Sequence, residues 1–288
     1  MPEQIDLSGK NILITGGSMG LGYAAAEACL QEKGRVVISA RNQGELDAAV
    51  SRLKAEGHQD IIGISADVTK HDEVETALNK VESHFGSLNA VIHSAGIYGP
   101  IGSITDVDPK EWLNAIEINL FGTFLVARQS CLRLQKNGGG RIALFSGGGA
   151  ATPFPNYTGY ACSKVGVVRL TETIAIEMAS HNIEVNCIAP GFVITRLHQQ
   201  TLAAGNLAGE KFLETTKAQI EKGGVPASVG ASTAAFLISD RAKGITGKFV
   251  AAPYDGWQDW SEHLDELKST DIFTLRRILP KERGMDWQ

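Results

Sequence analysis

Short apolar runs alternate with longer amphipathic segments along most of this 288-residue chain. The runs occupy residues 11–15, 35–39, 61–65, 88–93, 141–145, 184–189 and 247–252. Runs that are this short and apolar on both faces are typical of buried parallel strands. The segments between them have helical periodicity and end at glycines such as Gly34, Gly57 and Gly86, as helices often do. The pattern predicts βαβ units and an α/β fold with a three-layer, doubly wound parallel sheet.

Most of the chain is predicted to be one domain, because α/β proteins of about 250 residues are often a single domain. We assign residues 1–255 to this domain. Residues from about 196 to 224 follow the sixth run, where ligands of open α/β sheets bind, and are predicted to form a substrate lid. Residues 256–288 are richer in charge and tryptophan, and we expect an extension packed on the same domain. Trp257 and Trp260 can stack on a sugar ring or pack this extension, and packing is the preferred interpretation.

Composition excludes several classes of function. The net charge is -5, and the charges are scattered, whereas nucleic-acid binding requires clustered Lys and Arg. No run is long enough to span a membrane, and the first six residues lack the apolar core of a signal peptide, so we expect a cytoplasmic protein. The four cysteines are far apart, which predicts buried free thiols and neither a metal site nor disulfides; they are Cys29, Cys131, Cys162 and Cys187.

A glycine cluster joins the first strand to the first helix. It reads Thr15-Gly-Gly-Ser-Met-Gly-Leu-Gly22. Glycines allow the backbone to turn tightly beside a pyrophosphate, and a helix N-terminus offers free N–H groups and a partial positive charge. A plain turn is the alternative, but the position between strand and helix favours a dinucleotide site and hence a Rossmann fold. The predicted contacts are Gly16, Ser18, Met19, Gly20, Leu21 and Gly22.

The end of the second strand indicates which dinucleotide binds. An NAD site usually carries Asp or Glu there, which binds the ribose 2′-hydroxyl. This chain has Ala40 followed by Arg41. A guanidinium can bind a 2′-phosphate through charged, paired hydrogen bonds. Although Arg41 can also be an ordinary solvated charge, we predict NADP(H) in preference to NAD(H).

Tyr160 and Lys164 are the candidate acid/base pair. Their spacing places both side chains on one face of a helix, one turn apart. A phenol with a pKa of about 10 is a poor base at neutral pH. A nearby ammonium favours the phenolate, so Lys164 is predicted to lower the pKa of Tyr160.

With these motifs in place, the chain resembles the short-chain dehydrogenase/reductase family, in its single-domain form, over about residues 8–250. Besides the glycine cluster and the Tyr160/Lys164 pair, the matching positions in chain order are Asp67-Val68, Ser94-Ala95-Gly96, Asn119, Ser146, Pro190-Gly191 and Thr195. The resemblance implies that Tyr160 exchanges a proton with a carbonyl or alcohol oxygen while a hydride moves to or from nicotinamide. It further implies that Ser146 hydrogen-bonds that oxygen and that Asn119 anchors a water chain leading from Lys164.

The resemblance also implies cofactor contacts outside the glycine cluster. Asp67 and Val68 would hold the adenine, Ala95 and Gly96 would line the adenosine ribose, and Tyr160 and Lys164 would contact the nicotinamide ribose. The segment 190–195 would cover the nicotinamide through Pro190, Gly191, Val193 and Thr195.

Three of these positions have plain structural alternatives. Asp67 and Thr195 can each be a helix N-cap, and Asn119 can be an isolated polar residue on an apolar helix. His93 stands where the family usually has Asn, and a satisfied buried histidine is the preferred interpretation. The serine of many relatives lies one residue closer to the tyrosine, which here is Gly147, so Ser146 takes the role only if the following loop carries an extra residue.

The substrate and assembly are only broadly predicted. Gln199, Gln200 and Asn206 in the lid segment favour a small polar carbonyl or alcohol substrate. The resemblance implies a homodimer or homotetramer formed through about residues 108–136 and 156–180. Two alternatives stay open: an NADP(H)-binding sensor without turnover, and a scaffold that keeps only the fold.

Overall fold

The computed structural model describes residues 5–287 and contains one seven-stranded sheet in the order β3-β2-β1-β4-β5-β6-β7. The strands are β1 (Asn11–Thr15), β2 (Arg35–Ala40), β3 (Ile61–Ser65), β4 (Ala90–His93), β5 (Gly140–Phe145), β6 (Ile183–Ala189) and β7 (Phe249–Ala251). All neighbouring strands are parallel. The predicted doubly wound α/β sheet is confirmed.

Helices cover both faces of the sheet. They are α1 (Gly20–Gln31), α2 (Gln43–Ala55), α3 (His71–Phe85), α4 (Pro109–Ile116), α5 (Gly122–Lys136), α6 (Thr158–Glu177), α7 (Arg196–Ala204), α8 (Glu210–Glu221), α9 (Ala227–Ile238) and α10 (Leu264–Ser269). Side chains of a strand alternate between faces. Ile12 and Ile14 of β1 pack with α1, α2 and α9, whereas Leu13 packs with α3, α5 and α6. Both faces of the strand are therefore buried, as its continuous apolar run predicts.

The strand order reverses between β1 and β4, which are neighbours in the sheet. The loop after β1 runs to one side of the sheet and the loop after β4 to the other, so a crevice opens at the carboxyl ends of these strands. The glycine cluster follows β1, and Ser94-Ala95-Gly96 follows β4. The topology thus brings two motifs that are about 75 residues apart in sequence to one edge of the sheet.

Residues 257–275 pack against the rest of the chain, whereas most residues from 276 to 287 are exposed. Trp257 and Trp260 are buried, with Trp257 against Phe236 and Trp260 against Phe273. The Phe249 N–H of β7 donates to the Phe273 carbonyl at 2.8 Å. This segment therefore covers the outer edge of the last strand.

Side-chain hydrogen bonds fix the same segment. Lys248 is buried, and its ammonium donates to the Ile272 carbonyl at 3.0 Å. Glu172 of α6 accepts the Leu275 N–H at 2.6 Å, and Arg169 donates to the Leu275 carbonyl at 2.6 Å. The C-terminal segment is thus anchored to both β7 and α6.

The cysteine prediction is correct for three residues and wrong for one. Cys29, Cys131 and Cys187 are buried free thiols, whereas Cys162 is exposed. Cys162 follows the buried Tyr160 by two positions on α6, and two helical steps rotate a side chain by about 200° to the other face.

Among residues 5–287, no helix is both long and apolar enough to cross a bilayer. Residues 1–4, on which the signal-peptide expectation partly depends, lie outside the described part of the chain.

Candidate active site

The turn between β1 and α1 has the shape of a phosphate cradle. Gly16 has φ +68°, and a Cβ there would lie 2.8 Å from the Ala95 nitrogen. A Cβ at Gly22 would collide with the Gly16 carbonyl. No side chain caps α1, and its first turn contains no acidic residue. The first N–H groups of α1 are therefore free to bind an anion.

A cleft of about 1040 Å³ extends from this turn along the carboxyl edge of the sheet. Most of the predicted cofactor contacts line it, namely Gly16, Ser18, Met19, Gly20, Leu21, Arg41, Asp67, Val68, Ala95, Gly96 and Thr195. Six predicted contacts are outside its lining: Gly22, Tyr160, Lys164, Pro190, Gly191 and Val193. Of these, Gly22 packs inside the turn, and Tyr160 and Lys164 are buried.

Arg41 lies at the corner of the cleft where the second strand ends. Its neighbour Asn42 caps α2 by accepting the Glu45 N–H at 3.0 Å. Sequence reasoning missed Glu45, whose carboxylate lines the same corner and lies 3.5 Å from the Ser18 hydroxyl and 3.9 Å from Arg196. The corner therefore combines the guanidiniums of Arg41 and Arg196 with a carboxylate that opposes added negative charge.

Asp67 shapes the loop after β3 instead of capping a helix. Its carboxylate accepts hydrogen bonds from the N–H and the hydroxyl of Thr69, at 2.9 and 2.8 Å. The N-cap of α3 is Lys70, so the N-cap alternative for Asp67 is wrong. Asp67 also lines the cleft, as an adenine contact requires.

Thr195 provides a polar group that has no protein partner. It occupies the N-cap position of α7, but its side chain makes no capping hydrogen bond. Its hydroxyl oxygen is buried and unpartnered within the described residues. An unpaired buried hydroxyl is costly, and a ligand in the cleft could satisfy it. Together with the glycine turn, this hydroxyl shows that the cleft fits a dinucleotide.

Tyr160 and Lys164 lie on one face of α6, as their spacing predicts. Both are buried, and the Lys164 ammonium is 5.6 Å from the centre of the Tyr160 ring. That ammonium donates to the Phe145 carbonyl at 2.9 Å. Burial lowers the pKa of Lys164 to about 8, because desolvation disfavours the charged form.

The structure gives the opposite direction to the predicted lowering of the Tyr160 pKa. Burial raises the pKa of Tyr160 above its ordinary value, because desolvation disfavours the phenolate. The Lys164 ammonium donates its hydrogen bond to the Phe145 carbonyl.

The position beside the Tyr160 hydroxyl belongs to Gly147 and not to Ser146. The Ser146 hydroxyl is buried and donates to the Lys164 carbonyl at 2.9 Å. A Cβ on Gly147 would overlap the Tyr160 hydroxyl. The Ser146 hydroxyl is thus paired with the backbone of α6 and not with Tyr160, because consecutive residues of an extended chain face opposite ways. Its contact with the substrate oxygen stays a prediction. The site has no serine hydroxyl at this position.

Asn119 connects the loop after β4 to α6. It lies in a π-helical turn (Glu117–Phe121) between α4 and α5 and is fully buried. Its amide accepts the Ile97 N–H and donates to the Ile97 carbonyl, both at 2.8 Å, and it donates to the Ser163 hydroxyl at 3.0 Å. Asn119 is thus no isolated polar residue on an apolar helix. Its role in a water chain stays a prediction.

His93 is buried behind the cleft. Its Nδ1 lies 2.7 Å from the Thr15 hydroxyl, whereas its Nε2 has no partner within the described residues. Burial, with a contribution from the Lys164 charge, lowers the pKa of His93 to about 3. His93 is therefore neutral and only half satisfied.

Four aromatic residues pack with Tyr160, directly or through one another, and form with it what we call the aromatic cluster: Tyr98, Phe154, Tyr157, Tyr160 and Phe212. They come from three parts of the chain, namely the loop after β4, residues 154–160 and α8, so no single local pattern reveals the whole cluster. Helix α7 closes over the cluster, because the Tyr157 hydroxyl lies 2.9 Å from that of Thr201.

The lid segment presents different residues to the interior than its composition suggests. His198 and Thr201 of α7 are buried, whereas Gln199 and Gln200 are exposed and line the cofactor cleft. The side chains nearest Tyr160 are aromatic, unlike the polar residues on which the expectation of a polar substrate depends.

Comparison with known proteins identifies the family to which this architecture belongs. The profile of the short chain dehydrogenase family matches residues 10–205. The human dehydrogenase/reductase SDR family member 4 is 32% identical over 87% of this chain and 88% of its own length. The 3-oxoacyl-[acyl-carrier-protein] reductase FabG of Staphylococcus aureus is 33% identical over 84% of this chain and 95% of its own length.

Solved structures agree with these relatives. An actinorhodin polyketide ketoreductase crystallised with NADPH is 26% identical, covers 84% of this chain and 94% of its own, and superposes with a TM-score of 0.77. A short-chain type dehydrogenase/reductase from Mycobacterium ulcerans also superposes with a TM-score of 0.77 at 26% identity, over 93% of this chain and 98% of its own. With the glycine turn, the seven-stranded sheet and the Tyr160/Lys164 pair in place, the chain belongs to the short-chain dehydrogenase family and is an oxidoreductase of the nicotinamide-dependent kind.

Proposed function

We propose that this protein is an NADP(H)-dependent oxidoreductase that interconverts a carbonyl and an alcohol on a small molecule. The observation that carries the proposal is the position of the buried Tyr160/Lys164 pair on α6, next to a cleft that fits a dinucleotide. When bound, the nicotinamide would supply or accept the hydride. Tyr160 would supply the matching proton.

In the reducing direction, the carbonyl carbon accepts the hydride and its oxygen accepts the Tyr160 proton. The aromatic cluster excludes water from the reacting oxygen, which strengthens hydrogen bonds made there. Lys164 keeps a positive charge near the phenolate that forms, and its pKa of about 8 allows it to exchange a proton close to neutral pH. In the oxidising direction, Tyr160 takes the alcohol proton.

Preference for NADP(H) is supported by Arg41 and by the absence of an acidic residue at Ala40. The NADPH in the similar ketoreductase structure supports the same choice. The walls around Tyr160 favour an apolar, flat group next to the carbonyl, because aromatic side chains gain most from contact with such surfaces.

A sensor that binds NADP(H) without turnover is the second candidate. Gly147 supplies no hydroxyl to a substrate oxygen, and burial raises the pKa of Tyr160. Both features would lower the rate of a conventional reductase. Turnover, and not cofactor binding, distinguishes the two candidates.

The test measures NADPH binding by fluorescence and NADPH oxidation at 340 nm with a panel of aryl and alkyl ketones, aldehydes and keto sugars. We expect turnover by the wild type and a loss of at least about 100-fold in kcat for Tyr160→Phe. Tyr254→Phe, which changes an exposed tyrosine, is the matched control and should match the wild type. NADPH binding without turnover on any member of the panel would favour the sensor.

A further inference from the structure

We infer that Tyr98 supplies the second hydrogen bond to the substrate oxygen, in the role that Gly147 leaves without a side chain, and that His198 positions it. The inference rests on the proposed function, since it concerns the oxygen that exchanges a proton with Tyr160. It assigns a substrate contact to a residue outside the motifs of the sequence.

The site needs a donor other than a serine. The Ser146 hydroxyl is engaged with the Lys164 carbonyl. A serine at position 147 cannot be accommodated without movement, because the Tyr160 hydroxyl fills the space that its Cβ would occupy. A single donor would leave much of the charge that develops on a carbonyl oxygen unstabilised, since such sites usually provide two or more hydrogen bonds.

Apart from Tyr160 itself, Tyr98 is the residue of the aromatic cluster whose hydroxyl has no close hydrogen-bond partner among the described residues. The hydroxyls of Tyr157 and Thr201 bind each other at 2.9 Å. The Tyr98 hydroxyl has only a long contact, 3.4 Å from His198 Nε2. The Tyr98 ring lies 4.9 Å from the Tyr160 ring, nearly perpendicular to it. A weakly bonded hydroxyl in a buried position is available to a ligand.

The backbone at Tyr98 is held rigidly, as a preorganised donor requires. The side-chain amide of Asn119 holds the preceding residue, Ile97, because its oxygen accepts the Ile97 N–H and its nitrogen donates to the Ile97 carbonyl. The following residue, Gly99, has φ +71°, and a Cβ there would lie 2.5 Å from that of Ala115. Tyr98 itself is 4% exposed. The loop after β4 therefore fixes this side chain against the catalytic tyrosine.

A hydrogen bond with His198 would hold the Tyr98 hydroxyl in one orientation. Burial lowers the pKa of His198 to about 4, so at neutral pH its ring is uncharged and carries one N–H. With that proton on Nε2, the ring donates to the Tyr98 oxygen and leaves the Tyr98 proton for the substrate oxygen. Burial also raises the pKa of Tyr98, so this phenol keeps its proton. Tyr160 exchanges the proton, and Tyr98 steadies the oxygen.

The experiment compares Tyr98→Phe with Tyr254→Phe on the ketone that the wild type reduces fastest. Both variants keep the ring and lose one hydroxyl, but Tyr254 is exposed and lies outside the aromatic cluster. We expect Tyr98→Phe to lower kcat by about 100-fold, with little change in KM for the ketone and in NADPH affinity measured by fluorescence. Tyr254→Phe should keep a kcat close to that of the wild type.

His198 variants test the positioning role. We expect His198→Ala to lower kcat by about tenfold, and His198→Gln to restore part of the loss, because its amide N–H can donate to the Tyr98 oxygen. A wild-type kcat in Tyr98→Phe overturns the inference, even if Tyr160→Phe is inactive. A wild type that binds NADPH and reduces nothing overturns the proposed function and this inference with it.

Discussion

Single residues decide how the cofactor and the substrate oxygen are recognised. Gly147 has extended backbone (φ -176°, ψ 174°), so the backbone itself would tolerate a side chain. The hydroxyl of Tyr160 excludes one, because it fills the space where the Cβ would be. The catalytic tyrosine and the neighbouring glycine are therefore coupled, and neither can be interpreted alone.

Arg41 and Glu45 are expected to act in opposite directions on cofactor choice. Arg41→Ala should raise KM for NADPH by about 10- to 100-fold, since a charge-assisted hydrogen bond is lost, and leave KM for NADH nearly unchanged. Glu45→Gln should lower KM for NADPH, because it removes a carboxylate from the same corner of the cleft.

Steady-state kinetics with both cofactors test this pair, with Lys54→Ala at the far end of α2 as a charge control. If the ratio of KM for NADH to KM for NADPH is the same in the wild type and in Arg41→Ala, the assignment of Arg41 to the 2′-phosphate site is contradicted.

Elements with local signals were predictable, and those built from distant segments were not. The glycine turn and the Tyr160/Lys164 pair each lie within one short stretch, so spacing alone identifies them. Whether Ser146 or Gly147 faces Tyr160 depends on how the chain leaves β5, which composition does not encode. Tyr98 and Phe212 join the local group Phe154, Tyr157 and Tyr160 only after the sheet has formed.

The same limit applies to the lid and to the C-terminal segment. The composition of α7 indicates polar residues, but helical geometry directs His198 inward and Gln199 outward. The segment after Gly256 has no periodicity that reveals its path along β7. Its course depends on isolated contacts, such as the one that Lys248 makes with the Ile272 carbonyl.

Lys248→Met should loosen the C-terminal segment. The substitution keeps an apolar stem of similar length and leaves the Ile272 carbonyl without its charged donor, which should lower the free energy of unfolding by about 2 kcal/mol. Urea unfolding followed by tryptophan fluorescence is a suitable measurement, because Trp257 and Trp260 lie in this segment. Lys243→Met removes an exposed lysine and should be neutral. Identical unfolding midpoints for both variants would argue against the anchoring role.

At the scale of the whole molecule, several large hydrophobic side chains on α4 to α6 are exposed. Exposed hydrophobic side chains are present on α4, the π-helical turn, α5 and α6, namely Leu113, Phe121, Phe124, Leu132 and Val165. Phe121 and Phe124 stack with ring centres 6.1 Å apart. A patch of this kind commonly marks an interface between proteins, and the predicted homodimer or homotetramer would bury it.

Phe124→Glu is expected to shift the protein to monomers, because the carboxylate would be desolvated without a partner in the interface. Light scattering after size-exclusion chromatography gives the molar mass directly. Tyr254→Glu alters an exposed aromatic residue that is outside this surface and should keep the wild-type mass. A monomeric wild type, or an unchanged mass for Phe124→Glu, would refute assembly through these helices.

The contrast between the open cofactor cleft and the closed aromatic cluster has a kinetic consequence. The glycine turn and Arg41 border a cleft of about 1040 Å³, whereas Tyr160 is only 8% exposed beneath α7. We therefore expect the adenosine and phosphates of the dinucleotide to enter the open cleft, whereas a ketone should reach Tyr160 only once the side chains around it have moved. An enzyme of this shape would follow an ordered sequential scheme, in which the coenzyme binds first and leaves last.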